Sequence, residues 1–343
     1  MTLVTTKKND PAFAAGYEVR NLLSNGSLRY VNPFIFFTIR RLIKEKKATH
    51  LILEHPYYGW LGRMLKFFCG VKLIVHSHNI EGNRWKTLGK WWWKILWNYE
   101  RSTHRHADYN FFIQDEDRKY AIKEFGLKEN KCCTVSFGTE LSSPPQNNNS
   151  SSQLLRQQLH ISADIPLLLF NGSFRYGPNL DALENILFKV NPLLQAQDSR
   201  YLILVIGIDI PESVKKGVYP GIRILGFAED LELFLSGTNV FLNPVITGGG
   251  IKTKLVEALA FNLTSVSSVS GAIGIDPLLC NGKLLVSPDG DWEAFARSVL
   301  RAITFRKDTP AGFYDQFYWG NIAKKAAVFI NNQLLITQSI INN

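Results

Sequence analysis

Cysteines and long apolar runs are scarce in this 343-residue chain. The four cysteines, Cys69, Cys132, Cys133 and Cys280, form no C-x-x-C pair. Adjacent residues such as Cys132 and Cys133 are poor disulfide partners geometrically. A disulfide scaffold and a zinc finger are therefore excluded. No stretch approaches the roughly 20 uncharged apolar residues of a spanning helix. The opening MTLVTTKKND soon turns polar and has no secretory h-region. The expected setting is cytosolic and reducing. Two glycine signatures are also missing: the P-loop G-x-x-x-x-G-K-[ST] fails because Ile251 precedes Lys252-Thr253, and the dinucleotide fingerprint G-x-G-x-x-G opens neither half.

Hydrophobic residues make up 45% and charged residues 20%, which suits a globular, core-forming protein. The length suits two domains of ordinary size. Charge is unevenly spread. Residues 1–150 hold 23 Lys+Arg and 13 Asp+Glu, and residues 151–343 hold 16 of each, so the whole net charge of +10 sits on the first part. Such polarity favours an anionic partner there, against the alternative of a merely solubilising surface.

Short apolar runs alternate with longer amphipathic stretches. Strands are predicted at 1–5, 28–31, 51–53, 73–75, 109–113 and 133–135, with helices at 34–47, 59–69, 83–107 and 115–125. The run SSPPQNNNSSSQ, residues 142–153, reads as a linker. The alternation restarts with strands at 167–170, 201–206, 222–225, 240–242 and 264–266 and helices at 179–194, 231–235 and 252–260. This pattern predicts α/β architecture with parallel sheets: an N-terminal domain over 1–141, a linker over 142–153 and a C-terminal domain over 154–343, whose last helix is expected to pack back on the first domain. Two such domains would enclose a cleft, at the C-terminal ends of the strands.

The most informative segment is FLNPVITGGGIKTKLVEALA, residues 241–260. A buried strand ends, Gly248, Gly249 and Gly250 make a tight turn, and a helix begins near Ile251. Glycines let backbone approach a ligand, and a helix N-terminus offers unpaired N–H groups to phosphate. Lys252 and Lys254 add two point charges, and Glu257 could accept hydrogen bonds from a diol. The composite suits a diphosphate attached to a ribose, against the alternative of a strand–helix turn with solvated lysines.

These segments resemble the family 4 glycosyltransferases, which have the two-domain GT-B fold. The likeness lies in GGGIKTKLVEALAFNLTSVSS, in Gly226-Phe227-Ala228-Glu229-Asp230 (the family's G-F-x-x-D turn), in Asn171-Gly172-Ser173-Phe174-Arg175, and in His78-Asn79-Ile80-Glu81, which is similar to the HNxE turn of one branch. The resemblance implies that Lys252 and Lys254 hold the donor diphosphate and that Glu257 binds the ribose. It further implies that Gly226 and Phe227 face the base, that Gly172, Ser173 and Arg175 line the diphosphate side, and that His78 lies near the reacting sugar. It implies a retaining, metal-independent transfer that uses no cofactor beyond a UDP- or GDP-linked donor as substrate. Two departures from the family stand out. The Glu that many members carry eight residues before the ribose Glu is Gly249 here. The family's opening strand, glycine loop and helix are expected to be absent, which leaves an inactive nucleotide-sugar binder or a gene fragment as the alternative.

His76 is expected to point away from His78, and Glu81 to orient His78 or cap a helix. On a helix over KTLGKWWWKILWNYER, residues 86–101, Lys86, Lys90, Trp93, Lys94, Trp97 and Arg101 share one face, while Trp92, Leu96 and Tyr99 face the core. Indoles beside lysines favour a membrane interface, so peripheral contact with anionic lipid is expected, which would suit a lipid-linked glycan acceptor. An epimerase would need histidines in the second half, where only His160 occurs. Nucleic acid is not expected as a partner, since clustered Arg with stacking aromatics is missing.

Overall fold

The computed structural model describes the backbone of residues 1–146, 148–197 and 200–341, and their side chains except at 13, 148 and 332–341. The chain divides into two compact units, residues 1–112 with 117–134 and residues 113–116 with 135–343.

The first unit contains β1 (Thr2–Thr6), β2 (Glu18–Leu23), α1 (Ile35–Lys46), β3 (His50–Glu54), α2 (Gly59–Cys69), β4 (Lys72–Ser77), α3 (Glu81–Thr87), α4 (Trp93–His106), β5 (Tyr109–Phe112), α5 (Asp115–Phe125) and β6 (Cys132–Thr134). Strands β3-β4-β5-β6 form one parallel sheet, and β1-β2 form a separate parallel pair. Among the described residues no ladder joins β1 to β3. Leu73, Ile74 and Val75 of β4 are fully buried, as a strand covered on both faces requires. Helix α1 turns Ile35, Phe36, Ile39 and Ile43 onto Leu61 and Leu65 of α2, the spacing of one helical face.

Two expectations are corrected here. Residues 27–31 form a 3-10 turn, and the strand lies earlier, at Glu18–Leu23. The single helix expected over 83–107 is broken into α3 and α4, because Gly89 adopts φ +68° between them.

The second unit contains α6 (Asn148–Leu159), β7 (Leu167–Ser173), α7 (Gly177–Asn185), a π turn (Ile186–Val190), α8 (Asn191–Gln195), β8 (Leu202–Ile208), α9 (Glu212–Lys216), β9 (Ile222–Gly226), α10 (Leu231–Gly237), β10 (Val240–Asn243), α11 (Thr253–Ala260), β11 (Thr264–Ser268), β12 (Leu284–Ser287), α12 (Trp292–Thr304), α13 (Ala311–Phe317) and α14 (Trp319–Ile341). The second half of the low-complexity run is thus helical. Its polar residues face outward while Leu155 is fully buried, and a Cβ on Gly237 of α10 would press on that leucine at 2.9 Å. Residue 147 of the same run, and the side chains at 332–341 on which packing of the last helix depends, lie outside the described residues.

The second sheet has the order β12-β11-β10-β7-β8-β9, all parallel. From β7 the chain winds outward through β8 and β9. From β10 it winds the opposite way through β11 and β12. The order therefore reverses between β7 and β10, and in open α/β sheets the C-terminal side of such a reversal is where ligands bind.

Candidate functional site

The two segments that follow β7 and β10 are those picked out by the sequence. Strand β7 ends in Asn171-Gly172-Ser173, and β10 leads into Gly248-Gly249-Gly250 and α11. Gly172 and Gly207 stand opposite each other in the β7–β8 ladder. They lie so close that a Cβ at Gly207 (φ +146°) would collide with the Gly172 carbonyl oxygen. Gly248 and Gly250 adopt φ +83° and +75°, the left-handed region that favours glycine. Lys252 is the N-cap of α11 and gives no side-chain cap, so the first N–H groups of that helix keep their anion-binding character.

The lysines hold different positions. The Lys252 ammonium donates to the carbonyl oxygens of Gly248, Gly249 and Gly250 at 3.0, 3.3 and 2.9 Å, pinning the turn. Lys254 reaches back to β7, where it donates to Asn171 O at 3.3 Å and Asn179 Oδ1 at 3.0 Å and lies 4.5 Å from the centre of the Phe170 ring. Among the described residues no carboxylate pairs with either. Burial lowers the Lys252 amine to about 8; burial, with the charge of Lys252 added, lowers Lys254 to about 7. The Asn171 Oδ1 is buried without a hydrogen-bond partner. Glu257, on α11, carries a carboxyl raised by burial, and no protein hydrogen bond holds it among the described residues. Two amines lacking a counter-ion, an orphan acceptor and a free carboxyl at a chain reversal form a site prepared for an anion that also carries hydroxyls.

The remaining expected residues lie at or just past the C-terminal ends of β7 and β9. Ser173 closes β7, its carbonyl accepting from Asn179 Nδ2 at 3.0 Å. Arg175 is exposed and paired with Asp209 at 3.2 Å. Gly226 ends β9 at φ +79°, and Phe227 beside it is exposed. The sequence reading gave no role to Asn171, whose backbone carbonyl accepts from Lys254, or to Asn179, whose side chain does. Their signal was present, since asparagines at a strand end and in a helix's first turn are common ligand-facing residues.

His78 lies in the first unit, among a separate cluster. Glu54 ends β3 opposite His76 of β4. Its Oε2 takes His78 Nε2 at 2.8 Å and His76 Nδ1 at 3.0 Å. Burial raises the Glu54 carboxyl, but the two histidine hydrogen bonds outweigh that and hold it at about 2. His76 therefore points with His78, contrary to expectation, because strand residues two apart share a face. Glu81 does not orient His78. It accepts from Tyr57 Oη at 2.7 Å and from Arg84 at 3.3 Å, and lies 3.7 Å from His55. Glu100 of α4 caps α3, accepting from the N–H groups of Glu81 and Gly82 at 3.0 and 2.9 Å.

Around α3 and α4 the expected lipid-facing side is also revised. Trp97 turns inward, donating to Tyr120 Oη at 3.0 Å, and Lys86 lies over the Trp93 ring. The exposed apolar residues are instead Leu88, Trp91 (83% exposed) and Ile95.

Comparison with known proteins now adds to this geometry. Residues 1–143 match the family described as Glycosyltransferase Family 4, and residues 165–304 match Glycosyl transferases group 1. The chain belongs to glycosyltransferase family 4. The O-antigen biosynthesis glycosyltransferase WbnH of Escherichia coli is 24% identical over 168 residues, 48% of this chain and 44% of that protein, so the match spans less than half of the curated relative's length. Among solved structures, sucrose-phosphate synthase from Thermosynechococcus elongatus superposes with a TM-score of 0.67 at 16% identity, covering 100% of this chain and 89% of that one. Anabaena HepE in complex with UDP gives 0.62 at 15% identity, covering 94% and 86%. These neighbours carry the GT-B fold, and the two parallel α/β units of the family 4 chain conform to it. No helix among its described residues is long and apolar enough to cross a membrane.

Proposed function

We propose that this chain is an active hexosyltransferase that moves a sugar from a UDP- or GDP-linked donor to a glycan or lipid-linked glycan acceptor, in the building of a cell-envelope polysaccharide. The observation that carries the reading is the pair Lys252 and Lys254 at the β7/β10 reversal, without a carboxylate partner among the described residues, with Lys254 held on Asn171 O and Asn179 Oδ1. A donor diphosphate supplies the missing negative charge. As the bond from the sugar's anomeric carbon to the diphosphate oxygen breaks, charge gathers on the leaving phosphate, where the two ammonium groups and the α11 N-terminus stabilise it. In this assignment the basic groups take the leaving-group charge and no metal step is required. Glu257 binds the ribose, Gly226 and Phe227 face the base, and Gly172, Ser173 and Arg175 line the diphosphate side. His78, oriented by Glu54, is the histidine assigned to the reacting sugar. The acceptor hydroxyl attacks the face the diphosphate leaves, so anomeric configuration is retained.

The relatives' names favour this acceptor class, WbnH being an O-antigen biosynthesis enzyme. Cytoplasmic placement with peripheral membrane contact through 86–101 belongs to the same proposal. A second reading, nucleotide-sugar binding without turnover, is favoured by the unjoined edges of β1 and β3. Labelled UDP- and GDP-sugars, incubated with lipid-linked and free glycans with and without chelator, separate the two. The proposal expects chelator-resistant transfer, and proton NMR of the product showing the donor's anomeric configuration. Donor binding without transfer or donor hydrolysis supports the second reading.

A further inference from the structure

We propose that Glu54, His76 and His78 form a binding site for a divalent transition-metal ion, with Zn2+ the best-matched species. Three ligand atoms, one carboxylate oxygen and two imidazole nitrogens, all lie within 4.8 Å of one another. The tightest spacings are 2.8 and 3.0 Å, both on Glu54 Oε2. Ligands held at about 2.0–2.1 Å around a tetrahedral zinc stand about 3.3 Å apart, so small side-chain adjustments admit the ion.

The backbone fixes the set in place. Glu54 and His76 are register partners in the β3–β4 ladder, and the His55 N–H donates to the His76 carbonyl at 2.9 Å, tying down the segment that follows β3. His78 lies two residues past His76 and on the same face. The ligands therefore come from adjacent parallel strands at their C-terminal ends rather than from mobile surface chains.

His55 adjoins the cluster without joining it: its ring centroid is 4.3 Å from that of His78, while its Nδ1 faces Glu81 Oε1 at 3.7 Å. His55 also adopts φ +70° and ψ 157°, a strained conformation for a residue bearing a side chain, and such strain concentrates at ligand sites. Two imidazoles and one carboxylate leave coordination positions for water or a ligand oxygen. Nitrogen-plus-oxygen donor sets of this kind suit zinc and its neighbours over magnesium or calcium, which prefer all-oxygen shells. The site does not rest on the donor assignment; it shares His78 with the side assigned to the reacting sugar, and no step of the proposed transfer runs through the ion.

The test is equilibrium dialysis of the full chain against Zn2+ alone, followed by Co2+ absorption spectroscopy. One ion per chain is expected, with a Co2+ spectrum free of thiolate charge transfer, since none of the three ligands is a cysteine. Glu54→Gln and His76→Gln should each weaken binding at least about tenfold, while His106→Gln, outside the cluster, should not. Unfolding midpoints of the metal-free proteins show whether each variant keeps its fold; if one does not, the other carries the comparison. No saturable binding by the wild type, binding unchanged in folded Glu54→Gln or His76→Gln, or a thiolate band would overturn the proposal.

Discussion

The Lys254 ammonium donates to Asn179 Oδ1 at 3.0 Å, while the same side chain's Nδ2 donates to Ser173 O at 3.0 Å. Asn179 thereby ties the helix that follows β7 to the lysine that follows β10, across the strand reversal. Asn179→Ala should lose both bonds, costing about 1–3 kcal/mol of stability and weakening donor binding by aiming Lys254 less well. Asn179→Asp keeps the acceptor and should retain more of the affinity. Chemical denaturation and calorimetry with UDP- and GDP-sugars check both.

The lysines make donor binding pH-dependent. Their folded values, about 8 for Lys252 and about 7 for Lys254, lie below the ordinary 10.5. Between these values and 10.5 the unfolded chain holds more protons, so their contribution to the stability of the free protein rises with pH. Diphosphate binding favours the charged amines, so affinity should fall as pH rises through 7 to 8, with proton uptake on binding. Titrations in buffers of different ionisation enthalpy measure that uptake.

Gly248 turns at φ +83°, and a Cβ there would stand 2.9 Å from Tyr176 Oη. Gly248→Ala should cost about 1–2 kcal/mol from the left-handed backbone alone. It should also lower donor affinity, which thermal unfolding with and without UDP would show.

Trp91 and Ile95 project from the α3–α4 region, where Lys86, Lys90 and Lys94 are also exposed. Sedimentation with anionic liposomes at low salt should capture the wild type. The double variant Trp91→Ser, Ile95→Ser should be captured less, and added salt should release both.

Much of the second unit was legible because its buried strands are short, uniform apolar runs and its glycine turn has few structural explanations. The hydrophobic run Leu167 to Phe170 and the GGGIKTK turn gave the starts of β7 and α11 to within a residue, although β7 runs on to Ser173. The Leu28–Val31 run misled because a short apolar stretch does not distinguish a strand from a 3-10 turn. Helix α6 was hidden by its Asn/Ser composition, since its formation depends on burying Leu155, a tertiary gain that propensity does not register. The Glu54–His76–His78 cluster was missed because Glu54 lies more than twenty residues away in sequence and meets the histidines only through the β3–β4 register.

Lys252 and Lys254 are proposed to grip a nucleotide diphosphate at the β7/β10 reversal. Calorimetric titration of UDP- and GDP-sugars into wild type and the Lys252→Gln, Lys254→Gln double variant tests it most directly. Measurable binding by the folded wild type is expected, with a loss on the order of 10²-fold or more in the variant. Equal affinity in the two folded proteins would contradict it.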